Sequence, residues 1–359
     1  MFDPPLPPSD TAPQHGPRPL PLFLDMLRSE TATSPERRAA ALAGLAAFQH
    51  APRARRGRLA PARYRKGRAR LRNYGAPGGG GRPVILVPSL INPPFILDLA
   101  PDVSLMKWLG KQGFHPFLLD WGCPLPADRG LDVTAHVERR LLPLIAKFDQ
   151  PPVLVGYCLG GTMALAAACA ARVAGLALIA TPWRFTGFGG AAREAIADLW
   201  RTAQPTCEAL GLVPMEVLQA GFWRLDPAKT IAKYEAFGRL VPGGAAAASF
   251  VALEDWANAG APLPYAAGRQ LFEDFIAGDL TGTGGWHVAR RAVTPAALDC
   301  PAIEFVSLND RIVPAASAAD LPDRHDLGAG HVGMIVGRGA RSQLWEPLAH
   351  WLNHLPDTR

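Results

Sequence analysis

The residues with the clearest chemical meaning lie in a short turn around Cys158. An apolar run, Val153–Tyr157, leads into the turn, and an alanine-rich segment typical of a helix follows it. The pattern Gly-x-Cys-x-Gly between a strand and a helix is typical of a nucleophile elbow, a sharp turn that exposes its central side chain. Gly156 and Gly160 stand where larger side chains would clash. We therefore predict that Cys158 is a catalytic nucleophile, and the alternative is a buried structural cysteine.

A cysteine at this position, where serine is commoner, points to acyl-thioester chemistry. Attack by a thiolate on an acyl-CoA exchanges one thioester for another, so the step is nearly thermoneutral and the bound acyl group stays reactive. A serine would form a less reactive oxygen ester. The start of a helix also favours the thiolate of Cys158, because the helix dipole places positive partial charge there.

Two later segments supply the acid and the base that such a nucleophile needs. Ala302–Leu308 predicts a strand, and Asp310 follows its end. His331 lies in a glycine-rich loop, Gly328–Gly333, ahead of a predicted C-terminal helix. The chain order nucleophile, acid, histidine is that of the α/β-hydrolase arrangement. We predict that His331 acts as the base toward Cys158 and that Asp310 orients it; the alternatives are a plain turn aspartate and a packing histidine.

An enzyme of this type also needs backbone donors for the oxyanion that forms when the nucleophile attacks. The amide of Leu159, directly after the nucleophile, is one predicted donor. The second is expected from the loop after the predicted strand Val84–Val87, at Leu90 or Ile91.

Five segments, taken in order, resemble the polyhydroxyalkanoate synthase family. They are PSLINPPFILDLAPDVSLMKWL (88–109), GFHPFLLDWG (113–122), GYCLGGT (156–162), DRIVP (310–314) and GAGHVGMIV (328–336). The resemblance covers roughly residues 74–355. It implies an acyltransferase that polymerises 3-hydroxyacyl-CoA with release of CoA and that needs no cofactor or metal. It implies that Cys158 carries the growing acyl chain, that His331 activates the thiol, and that Asp310 helps to activate the 3-hydroxyl of the incoming acyl-CoA.

The resemblance also bears on partners. Well-known members of the family have a longer N-terminal domain or an obligate second subunit, whereas only about 75 residues precede the predicted core here. The implied partners are a second copy of the chain or a second synthase subunit, and the surface of a polymer granule. Two other functions stay open: a cysteine-dependent hydrolase or thioesterase that admits water, and a non-catalytic granule protein. A complete Cys/Asp/His set argues against the last.

Alternating predicted strands and helices from residue 84 to 180, resumed at Pro301, predict an α/β-hydrolase fold with a mostly parallel sheet flanked by helices. A mainly helical cap is inserted into it. The predicted divisions are a disordered Pro-rich tail (1–22), a helical and basic N-terminal extension (23–75), the core (76–182 and 297–359) and the cap (183–296).

Composition agrees with an enzyme of a reducing compartment, and we expect a cytoplasmic protein. The hydrophobic share of 48% is enough for a buried core. The five cysteines are scattered, which is neither a disulfide framework nor a zinc site. The sequence contains no apolar run long enough for a membrane span and no signal-peptide pattern at its N-terminus.

Charge is concentrated in residues 53–72, here called the basic segment. It holds ten Lys and Arg residues and no acid, in a chain of net charge +6, so the remainder is about −4. Such a segment could bind nucleic acid, an anionic surface or a CoA phosphate. No aromatic-rich nucleic-acid module accompanies it, so no specific nucleic acid is expected. A solvated basic face is the alternative.

Overall fold

The computed structural model describes residues 16–54, 57–76 and 80–356, which fold into two compact units. The sheet unit comprises residues 57–221 and 260–356 of these, and the helical unit comprises residues 16–54 and 222–259. The helices are α1 (Leu20–Glu30), α2 (Pro35–His50), α3 (Leu105–Lys111), α4 (Val133–His136), α5 (Leu142–Ile145), α6 (Leu159–Ala170), α7 (Gly190–Leu210), α8 (Met215–Arg224), α9 (Pro227–Phe237), α10 (Ala245–Ala257), α11 (Tyr265–Arg269), α12 (Gly333–Val336) and α13 (Glu346–His354). Stretches of π-helix lie at Val137–Leu141, Gln270–Ala277 and Arg341–Trp345. Short 3-10 turns lie at Pro94–Leu97, Pro126–Asp128, Phe185–Phe188, Pro295–Ala297 and Ala315–Ser317.

Eight strands of the described chain form one mixed sheet. They are β1 (Ala62–Lys66), β2 (Ala69–Asn73), β3 (Pro83–Val87), β4 (His115–Asp120), β5 (Val153–Tyr157), β6 (Gly175–Ile179), β7 (Ala302–Ser307) and β8 (Asp323–Leu327). Their order is β1-β2-β4-β3-β5-β6-β7-β8; β2 runs antiparallel to both neighbours and the other pairs are parallel. Short antiparallel ladders join Asp98–Ala100 to Val103–Ser104, Leu212–Val213 to Leu263–Pro264, and His287–Val288 to Arg291–Ala292. The predicted α/β architecture with a mostly parallel sheet is confirmed.

The centre of the sheet is buried, and this places the elbow in rigid surroundings. Every residue of β5 and β6 is buried, as expected for parallel strands covered on both faces. In α6, all residues from Leu159 to Cys169 are buried. A helix that is apolar all round belongs in a core, and its alanines allow close packing against β5.

The basic segment is not a free arm. Most of its described part forms the β1–β2 hairpin at one edge of the sheet, so the sheet starts at Ala62 rather than after residue 76 as predicted. Asp120 of β4 accepts hydrogen bonds from the Nε and Nη2 atoms of Arg72, and Arg70 lies 3.9 Å from the same carboxylate. The arginines hid the strand pattern, because in β2 they alternate with only two buried apolar residues, Ala69 and Leu71, which is too short an apolar face to stand out in the sequence. Charged side chains on an edge strand oppose pairing with another chain.

Strand β8 also has no clear counterpart in the predicted elements. Its sequence is Asp-Arg-His-Asp-Leu, and only its last residue, Leu327, is buried. It pairs in parallel with β7 and ends the sheet. An edge strand with polar side chains gives no apolar pattern, although it is this strand that leads into the loop of His331.

The helical unit is built from N-terminal helices and from part of the predicted cap. Phe23 of α1 and Phe48 of α2 make edge-to-face contacts with Tyr234 of α9, at ring centroid distances of 5.0 and 5.7 Å. Gly44 of α2 allows close helix packing, because a Cβ there would lie 1.9 Å from the carbonyl oxygen of Tyr234. The boundaries of the two units therefore differ from those of the predicted N-terminal extension (23–75) and cap (183–296).

The predicted disordered tail needs correction where it is described. Residues 1–15 lie outside the described residues. Residues 20–22 form the first turn of α1 and are not disordered. Pro19 at the N-cap and Pro21 in the first turn suit a helix start, where proline's missing N–H group costs nothing. Fully buried Phe23 then anchors the helix.

None of the described helices is both long and apolar enough to cross a lipid bilayer.

Candidate active site

Cys158 occupies a strained turn between β5 and α6. Its backbone has φ 56° and ψ −134°, a conformation that non-glycine residues adopt rarely and mainly at functional sites. The amide of Cys158 donates to the carbonyl of Ile179 at 3.0 Å, and its carbonyl accepts from the amide of Gly161 at 2.8 Å. These bonds hold the turn that the sequence predicts, with Cys158 at its tip.

Three glycines make this turn sterically possible. A Cβ at Gly156 would lie 2.4 Å from the Cα of Gly161, and one at Gly160 would lie 2.1 Å from the carbonyl oxygen of Val87. A Cβ at Gly161 would lie 1.8 Å from Oγ1 of Thr181. Side chains are therefore excluded on all three sides, because β3, the end of β6 and α6 itself press against the elbow.

Asp310 and His331 form a buried pair at the carboxyl ends of β7 and β8. The Nδ1 atom of His331 lies 2.6 Å from Oδ2 of Asp310. The other carboxylate oxygen, Oδ1, accepts hydrogen bonds from the amides of Ile312 and Val313 at 2.8 and 3.0 Å. The side chain of Asp310 is 0% exposed and that of His331 is 8% exposed. Asp310 is thus held by its own loop and reaches only the imidazole.

The environment of His331 favours the protonated imidazole. Burial alone would lower its pKa, but the negative charge of Asp310, the Cys158 side chain and hydrogen bonds to both raise the pKa of His331 from 6.5 to about 10. Because Nδ1 is committed to Asp310, Nε2 is the nitrogen left for Cys158. The structure thus brings Cys158 together with Asp310 and His331, which lie more than 150 residues further along the chain.

Tyr157 is part of the site although the sequence pattern did not single it out. Its ring stacks on that of His331, with centroids 5.1 Å apart and planes at 28°. Its hydroxyl donates to the carbonyl of His331 at 3.1 Å. Burial, Cys158 and Asp310 raise the pKa of Tyr157, so the phenol keeps its proton and stays a donor. Only its position next to Cys158 signals a role, and that is a weak signal.

The loop that carries His331 is tied to the end of β7. The Ser307 hydroxyl donates to the carbonyl of Ala329, and the Asn309 side-chain amide donates to the carbonyl of Gly328 at 2.9 Å. Because Ser307 and Asn309 lie just before Asp310, the same short segment positions both the acid and the histidine loop.

The predicted oxyanion donors follow two neighbouring parallel strands, β3 and β5. Their hydrogen bonds in the structure distinguish Leu90 from Ile91. The amide of Ile91 already donates to the Ser89 hydroxyl at 3.1 Å. Among the described residues, the amides of Leu90 and Leu159 have no protein acceptor. Val87 of β3 pairs with Gly156 of β5, which brings the loop after β3 beside the elbow. The geometry therefore favours Leu90 over Ile91 as the partner of Leu159.

Trp121 supports this loop and is a second residue that the sequence did not mark as functional. Its indole nitrogen donates to the carbonyl of Pro88 at 2.9 Å, and the side chain is buried just beyond the end of β4. The bond fixes the first residue of the loop that contains Leu90.

The other cysteines lack the setting of Cys158. Burial raises the pKa of Cys169, of Cys207 and of Cys300, the last to about 11, which keeps these thiols protonated and less nucleophilic. Cys123 is exposed on the surface. Within the described residues, no group of three or more His, Cys, Asp or Glu side chains is placed to hold a metal ion.

Comparison with known proteins gives the family. Residues 84–341 match the alpha/beta hydrolase family, a range that contains the elbow, the acid and the histidine. The chain belongs to this family. The strand order of the chain, the elbow after β5 and the acid after β7 agree with this assignment.

Several curated proteins similar to this chain are named poly(3-hydroxyalkanoate) polymerase subunit PhaC. The chain is 28% identical over 292 residues to the poly(3-hydroxyalkanoate) polymerase subunit PhaC of Haloferax mediterranei, which covers 77% of this chain and 59% of that protein. It is 26% identical over 301 residues to PhaC of Allochromatium vinosum, which covers 79% of this chain and 83% of that one. The resemblance predicted from the five segments is confirmed. The match spans about 60% of the length of the relatives from Haloferax mediterranei and Haloarcula marismortui.

Among solved structures, the chain is similar to VinJ, with a TM-score of 0.48 and 15% identity over 82% of this chain and 100% of that one.

Proposed function

We propose that this protein transfers 3-hydroxyacyl groups from CoA through a thioester on Cys158 and joins them into a polyhydroxyalkanoate. The observation that carries the proposal is a cysteine at an α/β-hydrolase elbow, served by a buried Asp310–His331 pair. The printed names of the relatives, poly(3-hydroxyalkanoate) polymerase subunits, support the same substrate class.

In the first half of the cycle, the acyl group moves from CoA to the enzyme. The Cys158 sulfur attacks the thioester carbonyl while His331 holds the thiol proton. The negative charge on the carbonyl oxygen is met by the amides of Leu159 and Leu90. When the tetrahedral intermediate collapses, the bond to the CoA sulfur breaks and His331 returns the proton to the leaving thiolate. One thioester replaces another, and CoA departs.

In the second half, the 3-hydroxyl of another acyl group attacks the thioester on Cys158. A base must take the hydroxyl proton as the carbon–oxygen bond forms, and the Cys158 thiolate is the leaving group. Asp310 is the family's implied base, but its side chain is 0% exposed and both its oxygens already accept hydrogen bonds. His331 reaches the site, so we assign it as the base in both halves, with Asp310 orienting it and balancing its charge.

The proposed partners follow from the substrate and from the names of the relatives. The word subunit in those names supports a second synthase subunit or a second copy of this chain. A water-insoluble product also places the working enzyme at the surface of a polymer granule inside the cell. No cofactor takes part, since CoA is a leaving group of the substrate.

The test is to incubate the full-length protein with 3-hydroxybutyryl-CoA, follow CoA release and identify the acyl product. We expect oligomer or polymer, and Cys158→Ala should reduce CoA release by at least about 10³-fold, since the nucleophile is lost. Cys123→Ala, which removes an exposed thiol, is the matched control and should keep the rate. Free 3-hydroxybutyrate as the product would assign the protein to the thioesterases instead. Absence of CoA release with this and with longer 3-hydroxyacyl-CoAs, both from the isolated chain and from the chain purified together with its cellular partners, would refute the proposal.

A further inference from the structure

A groove beside the candidate oxyanion loop takes no part in the steps above. Its walls include Leu90, Trp121 and the segment Ala261–Pro264, and its polar side chains are Arg68, Asp128, His136 and Arg140. It is a shallow groove that is open to solvent, with a free volume of about 30 Å³. Because Leu90 lines it, the groove begins next to the place where a substrate carbonyl would be held.

The charges in the groove favour an anion. The Nη2 atom of Arg140 pairs with Asp128 at 3.3 Å, so these two charges largely cancel. Arg68 is exposed; within the described chain it forms no ion pair, and its Nε atom donates to the carbonyl of Cys123 at 3.3 Å. Its terminal guanidinium nitrogens therefore remain for a ligand. Arginine is well suited to phosphate because its planar fork can donate two parallel hydrogen bonds.

His136 adds a neutral polar group to the same groove. Its Nδ1 atom donates to the carbonyl of Asp132 at 2.7 Å. Burial lowers the pKa of His136, and nearby Arg140 acts in the same direction. The ring is therefore uncharged at neutral pH and presents Nε2 as an acceptor, which suits an amide N–H or a hydroxyl rather than a second anion.

We propose that this groove binds the CoA portion of the acyl-CoA substrate, with the pantetheine arm along Leu90 and Trp121 and a phosphate on Arg68. The identity of the ligand rests on the proposed function. A groove with an apolar wall, a neutral acceptor and an unpaired arginine fits a ligand that has an amide-containing arm and a phosphate at its far end.

The distance from Cys158 to Arg68 agrees with this ligand. Arg68 lies in the turn of the β1–β2 hairpin, and a Cβ at Gly122, just after β4, would lie 2.8 Å from the carbonyl oxygen of Arg68. The turn is thus at the same edge of the sheet as the elbow. From β2 to β5 there are three strand spacings, or about 14 Å at ~4.8 Å each. The sulfur and the first phosphorus of CoA are separated by about 13 bonds, comparable to four extended residues and so about 15 Å.

The test measures binding without turnover. Full-length Cys158→Ala protein is titrated with CoA and with pantetheine, which lacks the phosphates, under reducing conditions by calorimetry. We expect CoA to bind more tightly than pantetheine. Adding Arg68→Glu should weaken CoA at least tenfold and shrink the preference over pantetheine by the same factor.

Arg65→Glu is the matched control, because Arg65 is exposed on the same hairpin, makes the same change in net charge and does not line the groove. It should change the Kd for CoA less than twofold. Equal weakening by both variants, equal binding of CoA and pantetheine, or no binding of CoA would each overturn the assignment of the groove. Failure of the proposed function is seen separately, as CoA binding that depends on Arg68 in a protein that makes no polymer.

Discussion

At the scale of single residues, the geometry favours another role for Asp310 than the activation of the 3-hydroxyl that the family resemblance implies. Asp310 is fully buried and its oxygens are bound by His331 and by two amides of its own loop. The side chain of His331 is 8% exposed, and its Nε2 is the nitrogen left for Cys158. Because Asp310 is buried, we expect it to act through the imidazole of His331. Loss of Asp310 should then slow every step in which His331 transfers a proton.

Asp310→Asn should therefore slow acylation and elongation by similar factors, roughly 10²–10⁴ each, because the imidazole loses its charge partner and its preferred tautomer. Rapid-quench measurement of CoA release in the first turnover reports acylation, and the growth of chain length reports elongation. Asp323→Asn, at an exposed position at the start of β8, is the control. Survival of acylation with loss of elongation alone would mean that Asp310 acts on the 3-hydroxyl directly.

At the scale of elements, the geometry of the elbow depends on how closely α6 approaches its neighbours. The strained backbone at Cys158 is maintained because β3, β6 and the first turn of α6 leave no room for side chains at Gly156, Gly160 and Gly161. The same approach brings the loop after β3, which contains Leu90, beside the elbow. Widening the elbow by one methyl group should thus disturb both the nucleophile and the oxyanion donors.

Gly161→Ala provides this change, since its Cβ would lie 1.8 Å from Oγ1 of buried Thr181. We expect a loss of about 1–3 kcal/mol in the free energy of unfolding, as for other overpacked sites, together with a fall in kcat/KM. Urea unfolding and the CoA-release assay measure the two effects. Gly190→Ala is the control, because Gly190 lies in α7 with no atom within 4 Å of the added Cβ. Unchanged stability in Gly161→Ala would mean that the elbow can relax.

At the scale of the whole molecule, the sheet topology converts distant segments into one site. The carboxyl ends of the parallel strands β5, β7 and β8 lie at the same edge of the sheet, so residues 158, 310 and 331 meet there. The turn of the β1–β2 hairpin, which carries Arg68, also lies at this edge, beyond β3 and β4. The contact between Asp310 and His331 at this edge exists in the folded state, so the raised pKa of His331 makes the stability of the whole chain depend on pH.

The free energy of unfolding should fall as pH rises from about 7 to 10, and part of this fall should come from His331. Its folded pKa, about 10, is above the ordinary value of 6.5, so its contribution is complete below pH 6.5 and is lost as pH passes the folded value. One pKa unit corresponds to about 1.4 kcal/mol, so we expect a loss on the order of 1 kcal/mol or more relative to His331→Gln. Urea unfolding of both proteins at several pH values tests this. Parallel curves would contradict it.

The sequence by itself determined the fold class, the turn at Cys158 and the two residues, Asp310 and His331, that the structure places beside it. These depend on local patterns: an apolar strand, a turn that only glycines permit, and polar residues placed just after strand ends. Tertiary structure alone decided what depends on contacts between distant segments, including the stacking of Tyr157 on His331, the bond from Trp121 to Pro88, and the packing of α1 and α2 with α9. Tertiary structure also decided that much of the basic segment forms strands at one side of the sheet. Pairing of β2 with β4 stabilises these strands, although their arginine-rich sequence alone does not predict them.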